Sequence, residues 1–326
     1  MIAKSHIIKN TLLLALCWVH GFCFVQNDSL YYELFPDQQV IDASLGYNTA
    51  PFRITDEFGL NNNQLKYRAN MNPVLGIGFS YKWLSLGVSL KLPGYIRDTL
   101  AYGTSNYVDL DIHYQWNRWY FTGDIHWYKG FSLRDANRFV DGLEQDNLLN
   151  ENLRSHSISG NAFYFLNEKY QIKPANGIVG RYRSQAQSLF LKNTFNVHGI
   201  NGRGRSILPH NALNGTPTIW ESTKLGAVDF GFVPGWAYVN NINDWQFGFR
   251  LGAGGVIQAK YYQTPSTTRI FLGLAPRYDL NFLAGYNTKD WFLMLQSNVD
   301  NKSVRFNDYH YRQVYYFIRL SGGIRF

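Results

Sequence analysis

The chain has 326 residues, a formal net charge of +8 and a mean hydropathy of −0.27, and 17% of its residues are aromatic. Its basic residues are scattered along the sequence, which argues against nucleic-acid binding, because that needs basic residues grouped on one face. No stretch after the N-terminal leader is apolar for long enough to form a membrane-spanning helix.

Residues 1–23 are predicted to be a cleaved signal peptide. Lys4 and Lys9 precede a short apolar run, residues 11–19, and small or neutral residues follow near Gly21 and Cys23. A charged region, an apolar region and a processing site in this order direct a chain to export. A lipoprotein signal is disfavoured, because it needs a small residue directly before the modified cysteine, and Leu16 precedes Cys17.

Both cysteines, Cys17 and Cys23, lie in this leader. Cleavage after Cys23 leaves a mature chain without thiols, so disulfides and cysteine metal ligands are not expected. Loss of Lys4 and Lys9, with no acidic residue beside them, lowers the net charge from +8 to +6.

The clearest strand signal follows at residues 75–92, where apolar and small or polar residues alternate on both sides of Lys82 and Trp83. A two-residue turn at this pair places Tyr81 opposite Leu84 and Phe79 opposite Leu86, so the two apolar rows share one face. A second tight turn is predicted at residues 117–118.

The second turn sets Trp116 opposite Trp119. Together with Trp83, these residues are predicted to form part of an aromatic belt at a membrane interface. In a soluble β-sandwich, the alternative reading, they would be core residues.

Twelve strands are predicted in total, an even number, as single-chain bacterial barrels prefer. Pro73 is expected to mark a bend or bulge near the rim in the second of them, 63–81. The strands are 38–49, 63–81, 84–92, 105–116, 119–130, 154–167, 185–198, 224–239, 245–260, 269–286, 291–300 and 312–326.

The connections between these strands alternate in length. Short turns at 82–83, 117–118, 240–244 and 287–290 fall on one side, where a bacterial barrel has its periplasmic turns. Residues 168–184 also fall on that side although they are long. They are expected to form a periplasmic plug or small helix, or else the strand count is wrong by two.

The last strand, 312–326, alternates apolar and polar residues and ends on Phe326. A terminal aromatic residue resembles the assembly signal of bacterial outer-membrane barrels. We therefore predict an all-β fold, a transmembrane antiparallel β-barrel of the outer membrane. Its domains are the signal peptide, a periplasmic N-terminal segment at 24–37, and one barrel at 38–326.

Several short motifs resemble a family of outer-membrane proteins of Bacteroidota catalogued as domain of unknown function 4421. The strongest is residues 67–70 followed through Pro73 by residues 76–84, and weaker support comes from 91–93, 103–104, 129–131, 162–164 and the Gly-rich last strand. The pattern is only partly present at 182–191. The resemblance implies an outer-membrane β-barrel and brings no activity.

A group of ionisable side chains shares the inward parity of the hairpin that turns at residue 117. The inferred register sets Asp111 opposite Asp124 and Asp109 opposite His126, with His113 nearby. Facing carboxylates repel each other, so a cation or an inward arginine is expected close by. The candidates on inward parity are Lys91, Arg250, Arg319 and Arg325.

This lumen cluster predicts either a cation site or polar constriction that selects solutes, or a salt-bridged network that braces the interior. The network is favoured, because barrels of this size commonly contain one. Neither a catalytic set nor a metal site is predicted. Residues 252–255 lie inside a strand and do not form a phosphate loop, and His198 and His210 flank a loop without a ligand set.

The predicted function is non-enzymatic: a narrow solute channel, or a membrane-embedded partner of an envelope complex. The alternative is an enzyme that modifies outer-membrane lipid or lipopolysaccharide, but no nucleophile is nominated. No cofactor is expected. Expected partners are outer-membrane lipid, lipopolysaccharide and the barrel-assembly machinery. Arg203 and Arg205 are candidates to touch lipopolysaccharide phosphates, although the favoured reading is that they are solvated loop charges.

Overall fold

Twelve strands pair side by side in a closed antiparallel ring in this computed structural model, which describes residues 30–56, 64–138, 146–208, 221–306 and 309–326. The ring strands are β2 (Gln39–Thr49), β5 (Val74–Tyr81), β6 (Leu84–Lys91), β7 (Asn106–Trp116), β8 (Trp119–Arg134), β9 (Leu148–Phe165), β11 (Ala186–Asn201), β12 (Lys224–Ile242), β13 (Trp245–Gln263), β14 (Thr268–Asn287), β15 (Trp291–Arg305) and β16 (Tyr309–Arg325). Strand β16 closes the ring by pairing with both β15 and β2.

The predicted twelve-stranded barrel is confirmed. The remaining described elements are short: β1 (Tyr32–Leu34), β3 (Phe52–Asp56), β4 (Gln64–Arg68), β10 (Gly180–Tyr182), the helices α1 (Thr99–Tyr102) and α2 (Ile172–Ala175), and a 3-10 helix at Ala136–Arg138. No helix among the described residues is long and apolar enough to cross a membrane.

Alternating residues of each strand face opposite sides of the wall, with apolar side chains outside. In β6, Leu86 and Leu90 are 45% and 52% exposed, whereas Ser85 and Ser89 are buried. The same outward row continues on β16 through Ile318 and Leu320. An apolar exterior around a polar interior is the pattern of a barrel that spans a lipid bilayer.

The two ends of the barrel differ. At the turn end, strands join through tight turns such as residues 82–83 and 117–118, where Lys82 and Asn117 adopt the positive φ angles that two-residue hairpins require. The chain's C-terminus also lies at this end, where Phe326 pairs with Gln39 through backbone hydrogen bonds. The opposite end carries the longer connections and is called the loop end.

Predicted strand 63–81 was wrong as a single strand, because the chain leaves the sheet at residues 69–73. The Asn70 backbone N–H donates to Ser105 and its side-chain amide donates to the Gly103 carbonyl, while Pro73 has no N–H to offer. The predicted loop 50–62 contains β3. Strands β3 and β4 form a hairpin that pairs with the loop-end parts of β16 and β8 and extends the wall there.

The connection between β9 and β11 folds back into the mouth at the turn end. It contains α2 and β10, and β10 pairs with β1 from the N-terminal segment. We call β1 with residues 168–184 the plug. Of the two alternatives that the sequence left open, the plug is the one observed. Residues 1–29, with the predicted signal peptide, lie outside the described residues.

Apolar clusters fill both ends of the lumen. At the turn end the plug packs on inward aromatic residues of the wall. At the loop end the inner face of the β3–β4 hairpin, including Phe52 and Tyr67, packs on Phe131 and Tyr311. Polar side chains are therefore concentrated between two apolar layers.

The seam between β14 and β15 is irregular. Strand β14 pairs with β15 only from Asp279 to Asn287, and its loop-end half has no strand partner on that side among the described residues. Three side chains cross the gap to β15 carbonyls, from Arg277 to Asn301, from Gln258 to Ser303 and from Lys260 to Arg305. On the outer face of this half-strand, Leu272 and Leu274 are 80% and 82% exposed.

Candidate functional site in the barrel lumen

The polar layer surrounds a cavity of about 190 Å³ midway along the lumen. Hairpin β7–β8 supplies one wall, and strands β11, β13, β14 and β15 supply much of the opposite wall. The charged groups that line it include Asp109, Asp124, His126, Arg250, Asp279 and Lys302.

On the β7–β8 side, the structure pairs Asp109 with His126 and Asp111 with Asp124 across the two strands. The His126 Nδ1 atom lies 2.8 Å from Asp109 Oδ1, an ion-pair distance, although the two groups are not aligned as a hydrogen bond. The other Asp109 oxygen accepts a hydrogen bond from the Tyr107 hydroxyl at 2.7 Å. Asp109 is therefore held by groups on its own hairpin.

The other two carboxylates are also held by neighbours. His113 Nε2 lies 3.1 Å from Asp111 Oδ2, and Asp124 is within hydrogen-bond distance of the Thr122 hydroxyl and the Asn161 amide. In the ranges that the structure describes, no group of three or more His, Cys, Asp or Glu side chains is arranged to hold a metal ion.

Of the four predicted basic partners, Arg319 is the one that reaches this cluster, with Nη2 3.9 Å from Asp109 Oδ2. Arg250 faces the same cavity but pairs with Asp279. The assignments of Lys91 and Arg325 to the cluster were wrong. Lys91 donates to the Ser105 carbonyl near the loop end, and Arg325 lies at the turn end, because each is at the end of its strand.

The opposite wall contains a second network that the sequence analysis did not identify. Asp279 accepts hydrogen bonds from Lys192 at 2.7 Å and from Arg250 at 2.9 Å. Asp229 contacts His198 at 2.9 Å and also binds Arg277. The side chains of His198 and Asp229 are fully buried.

Lys302 completes this network through Ser157 and Ser159, with a distance of 2.9 Å to the latter. Inward parity was the available signal for Lys192, Asp229 and Asp279, which lie within predicted strands. Lys302 lies beyond the predicted end of its strand, so parity did not apply to it.

Wall side chains anchor the plug through its backbone. The Gln246 side chain is fully buried, donates to the Pro174 and Ala175 carbonyls and accepts from the Tyr182 N–H. Arg325 donates to the Gly177 carbonyl of the plug and to Thr288 and Asn287 of the adjoining turn. These contacts hold the plug in the mouth.

The plug contains a lysine and a glutamate whose pKa values are shifted. Lys173 is 2% exposed, its Nζ has no hydrogen-bond partner among the described residues, and burial lowers its pKa to about 7. Burial acts to raise the pKa of Glu33, but hydrogen bonds from Arg181 and Arg183 outweigh it and leave the pKa below its ordinary value.

The remaining predicted residues lie on the wall. At the turn end Trp116 is directly opposite Trp119, while Trp83 packs edge-on against Tyr114 with 5.1 Å between ring centroids. The Phe326 side chain is 59% exposed. Residues 252–255 lie inside β13, and His210 lies outside the described residues.

Comparison with known proteins identifies the family. The family described as Domain of unknown function (DUF4421) matches residues 26–326, and the chain belongs to it. No functionally curated protein matches the chain.

Solved structures are similar at low identity. The outer membrane protease OmpT from Escherichia coli is 12% identical, with 92% of this chain and 99% of that chain covered and a TM-score of 0.40. An outer membrane channel from Pseudomonas putida F1 is 12% identical, with 92% and 100% covered and a TM-score of 0.40. The toluene transporter TodX from P. putida is 10% identical, with 89% and 91% covered and a TM-score of 0.33. We assign no activity from these similarities.

Proposed function

We propose that this member of the DUF4421 family is a non-enzymatic β-barrel of the bacterial outer membrane, closed to solutes, that works as a membrane-embedded partner of an envelope complex. The turn end faces the periplasm and the loop end faces outward, as in other bacterial barrels. The observation that carries the proposal is that apolar clusters fill both ends of the lumen.

Passage of a solute would require removal of at least one of these layers. The plug is held by the buried Gln246 and by Arg325, and it is covalently continuous with β9 and β11. The cavity of about 190 Å³ between the two layers has room for several water molecules. Contacts with other molecules are therefore made by the outer wall and the two ends.

The closed lumen is tested by single-channel recording and by thiol accessibility. Because both native cysteines lie in the predicted leader, Asn298→Cys introduces a single thiol beside the cavity, and Lys289→Cys, on an exposed turn, is the matched control. We expect no conductance steps in planar bilayers, and we expect a membrane-impermeant thiol reagent to label only the control. Conductance steps, or equal labelling rates at both positions, would refute the proposal.

A narrow solute channel is the second candidate, favoured by the charged cavity midway along the lumen. It requires the plug to move. Replacing residues 168–184 with a short linker should then produce conductance, and the folded state of that variant is checked by its resistance to denaturation in detergent. A channel that is already open without this change would support the second candidate over the first.

The alternative of a lipid-modifying enzyme requires a histidine and a nucleophile accessible from the membrane. His113 and His126 face the lumen, whereas His156 on β9 lies on the outward parity. The residues directly opposite it are Trp127 and Gly199, and neither has a hydroxyl. Altered lipid A or phospholipid profiles in a His156→Ala strain would favour the enzyme.

A further inference from the structure

A row of cations crosses the outer wall at the loop end. Arg312 on β16 is directly opposite Arg53 on β3, Arg53 is opposite Lys66 on β4, and Lys66 is opposite Arg134 on β8. The residues that alternate with them, such as Phe52, are buried in the lumen, so the four cations face outward. We call these four residues the cation row.

Like charges directly opposite one another in a sheet are destabilising unless an anion compensates them. Within the part of the chain that the structure describes, no member of the cation row forms an ion pair with a carboxylate. The lumen shows the contrast, because its buried cations Lys192 and Arg250 share the carboxylate of Asp279. An anion from outside the described chain would therefore stabilise the cation row.

A pocket of about 560 Å³ opens beside the row, where the β3–β4 hairpin stands above the end of β2. Three members of the row line it, and Arg68 and Arg97 add two further guanidinium groups. No acidic side chain lines it among the described residues. Aromatic rings, including those of Tyr47 and Tyr316, form its floor.

The apolar outer surface begins directly below this floor. Tyr47 is opposite Ile318, and Leu45 is opposite Leu320. The side chains of Ile318, Leu45 and Leu320 are about half exposed. A ligand seated here would place an anionic group among guanidinium groups while its hydrocarbon part lay along the wall. This combination fits an anionic lipid better than a soluble anion, which has no use for the apolar rows.

We propose that this pocket binds the phosphate group of lipid A, the membrane anchor of lipopolysaccharide, in the outer leaflet. The arginines donate paired hydrogen bonds to the phosphate oxygens, a geometry that guanidinium groups match well. The acyl chains lie along the rows that descend from Tyr47 and Tyr316. The proposal rests on the outward orientation of the loop end given above, but not on whether the lumen is closed.

The test compares the mature full-length protein with Arg53→Gln/Arg312→Gln in detergent, by native mass spectrometry. The matched control is Lys82→Gln/Lys289→Gln, which removes two exposed cations from turns at the opposite end of the barrel, outside the pocket. The probes are bisphosphorylated lipid A, the same lipid A after phosphatase treatment, phosphatidylglycerol and inorganic phosphate. Losing two charge-assisted contacts should weaken binding of bisphosphorylated lipid A by about 10-fold or more.

We expect that loss only in the Arg53/Arg312 variant, and we expect dephosphorylated lipid A to bind both proteins equally weakly. The variant should fold at least as stably as the wild type, because it relieves repulsion between facing charges. Unchanged affinity in the variant, or equal affinity for the two forms of lipid A, would refute the proposal. Preferential binding of inorganic phosphate would indicate a soluble-anion site instead, and preferential binding of phosphatidylglycerol would assign the pocket to phospholipid.

Discussion

Replacement of Lys173 by methionine should stabilise the folded chain in a pH-dependent way. The lysine is buried in the plug without a hydrogen-bond partner among the described residues, and its pKa is about 7 against an ordinary 10.5. A difference of this size makes the protonated side chain cost up to about 5 kcal/mol of folding free energy. Methionine has a similar length without the charge.

The sign follows from proton binding. Below pH 7 the lysine is protonated in both the folded and the unfolded chain, so the full cost is present. Between pH 7 and 10.5 only the unfolded chain retains the proton, so the stability of the wild type rises with pH. The advantage of Lys173→Met should be close to 5 kcal/mol at pH 6 and should vanish near pH 10.5.

The measurement is urea unfolding of protein refolded in lipid vesicles at pH 6, 8 and 10, followed by tryptophan fluorescence. The control is Lys289→Met, at an exposed turn. It should change the free energy of unfolding by the same small amount at every pH. A difference between Lys173→Met and the wild type that does not change with pH would contradict the assigned burial of the charge.

Three further outcomes are expected. Gly130→Ala should lower the free energy of unfolding by more than about 2 kcal/mol in the same urea assay, because φ is +87° there and a Cβ would meet the Thr104 carbonyl. The control is Gly204→Ala, which should cost only about 1 kcal/mol, because φ is a similar +85° but the space around a Cβ is open. Asp279→Asn should cost about 3–5 kcal/mol, because it leaves two buried cations without their carboxylate, and a loss below 1 kcal/mol would contradict that pairing. Deletion of Phe326 should lower the amount of folded barrel in cells, but it should not lower the yield of purified protein refolded in detergent, because the Phe326 side chain is largely exposed. An equal loss in both assays would instead indicate that Phe326 has a packing role.

The sequence contained enough information for the ring of strands and for pairing within a tight hairpin. A two-residue turn fixes the register of every later pair, so the positions of Asp111 and Asp124 followed from the turn at residues 117–118. Alternation then determined which side chains face the lumen. Both inferences are local and need no knowledge of how the ring closes.

Contacts across the lumen could not be derived in this way. The pairing of Lys192 with Asp279 joins strands that are not neighbours in the ring, and it depends on the tilt and stagger of the strands. Strand β3 was missed because it is only five residues long, too short for a clear period, and β4, equally short, was merged with β5 into one predicted strand, 63–81. The cation row was missed with them, since its pairs exist only when this hairpin joins the wall.

Among the described residues, the loop-end half of β14 has no strand partner on the β15 side, and this limits where the hydrocarbon layer can lie. Main-chain amides cannot stay unbonded in lipid, so the bilayer core on this side must end near Asp279. The nine residues paired with β15 span roughly 30 Å along the strand, or roughly 23 Å of height at a tilt of about 40°. The side chains of Leu272 and Leu274 then project above the acyl chains. A polypeptide that paired with this half-strand would complete the sheet and shield both leucines from water.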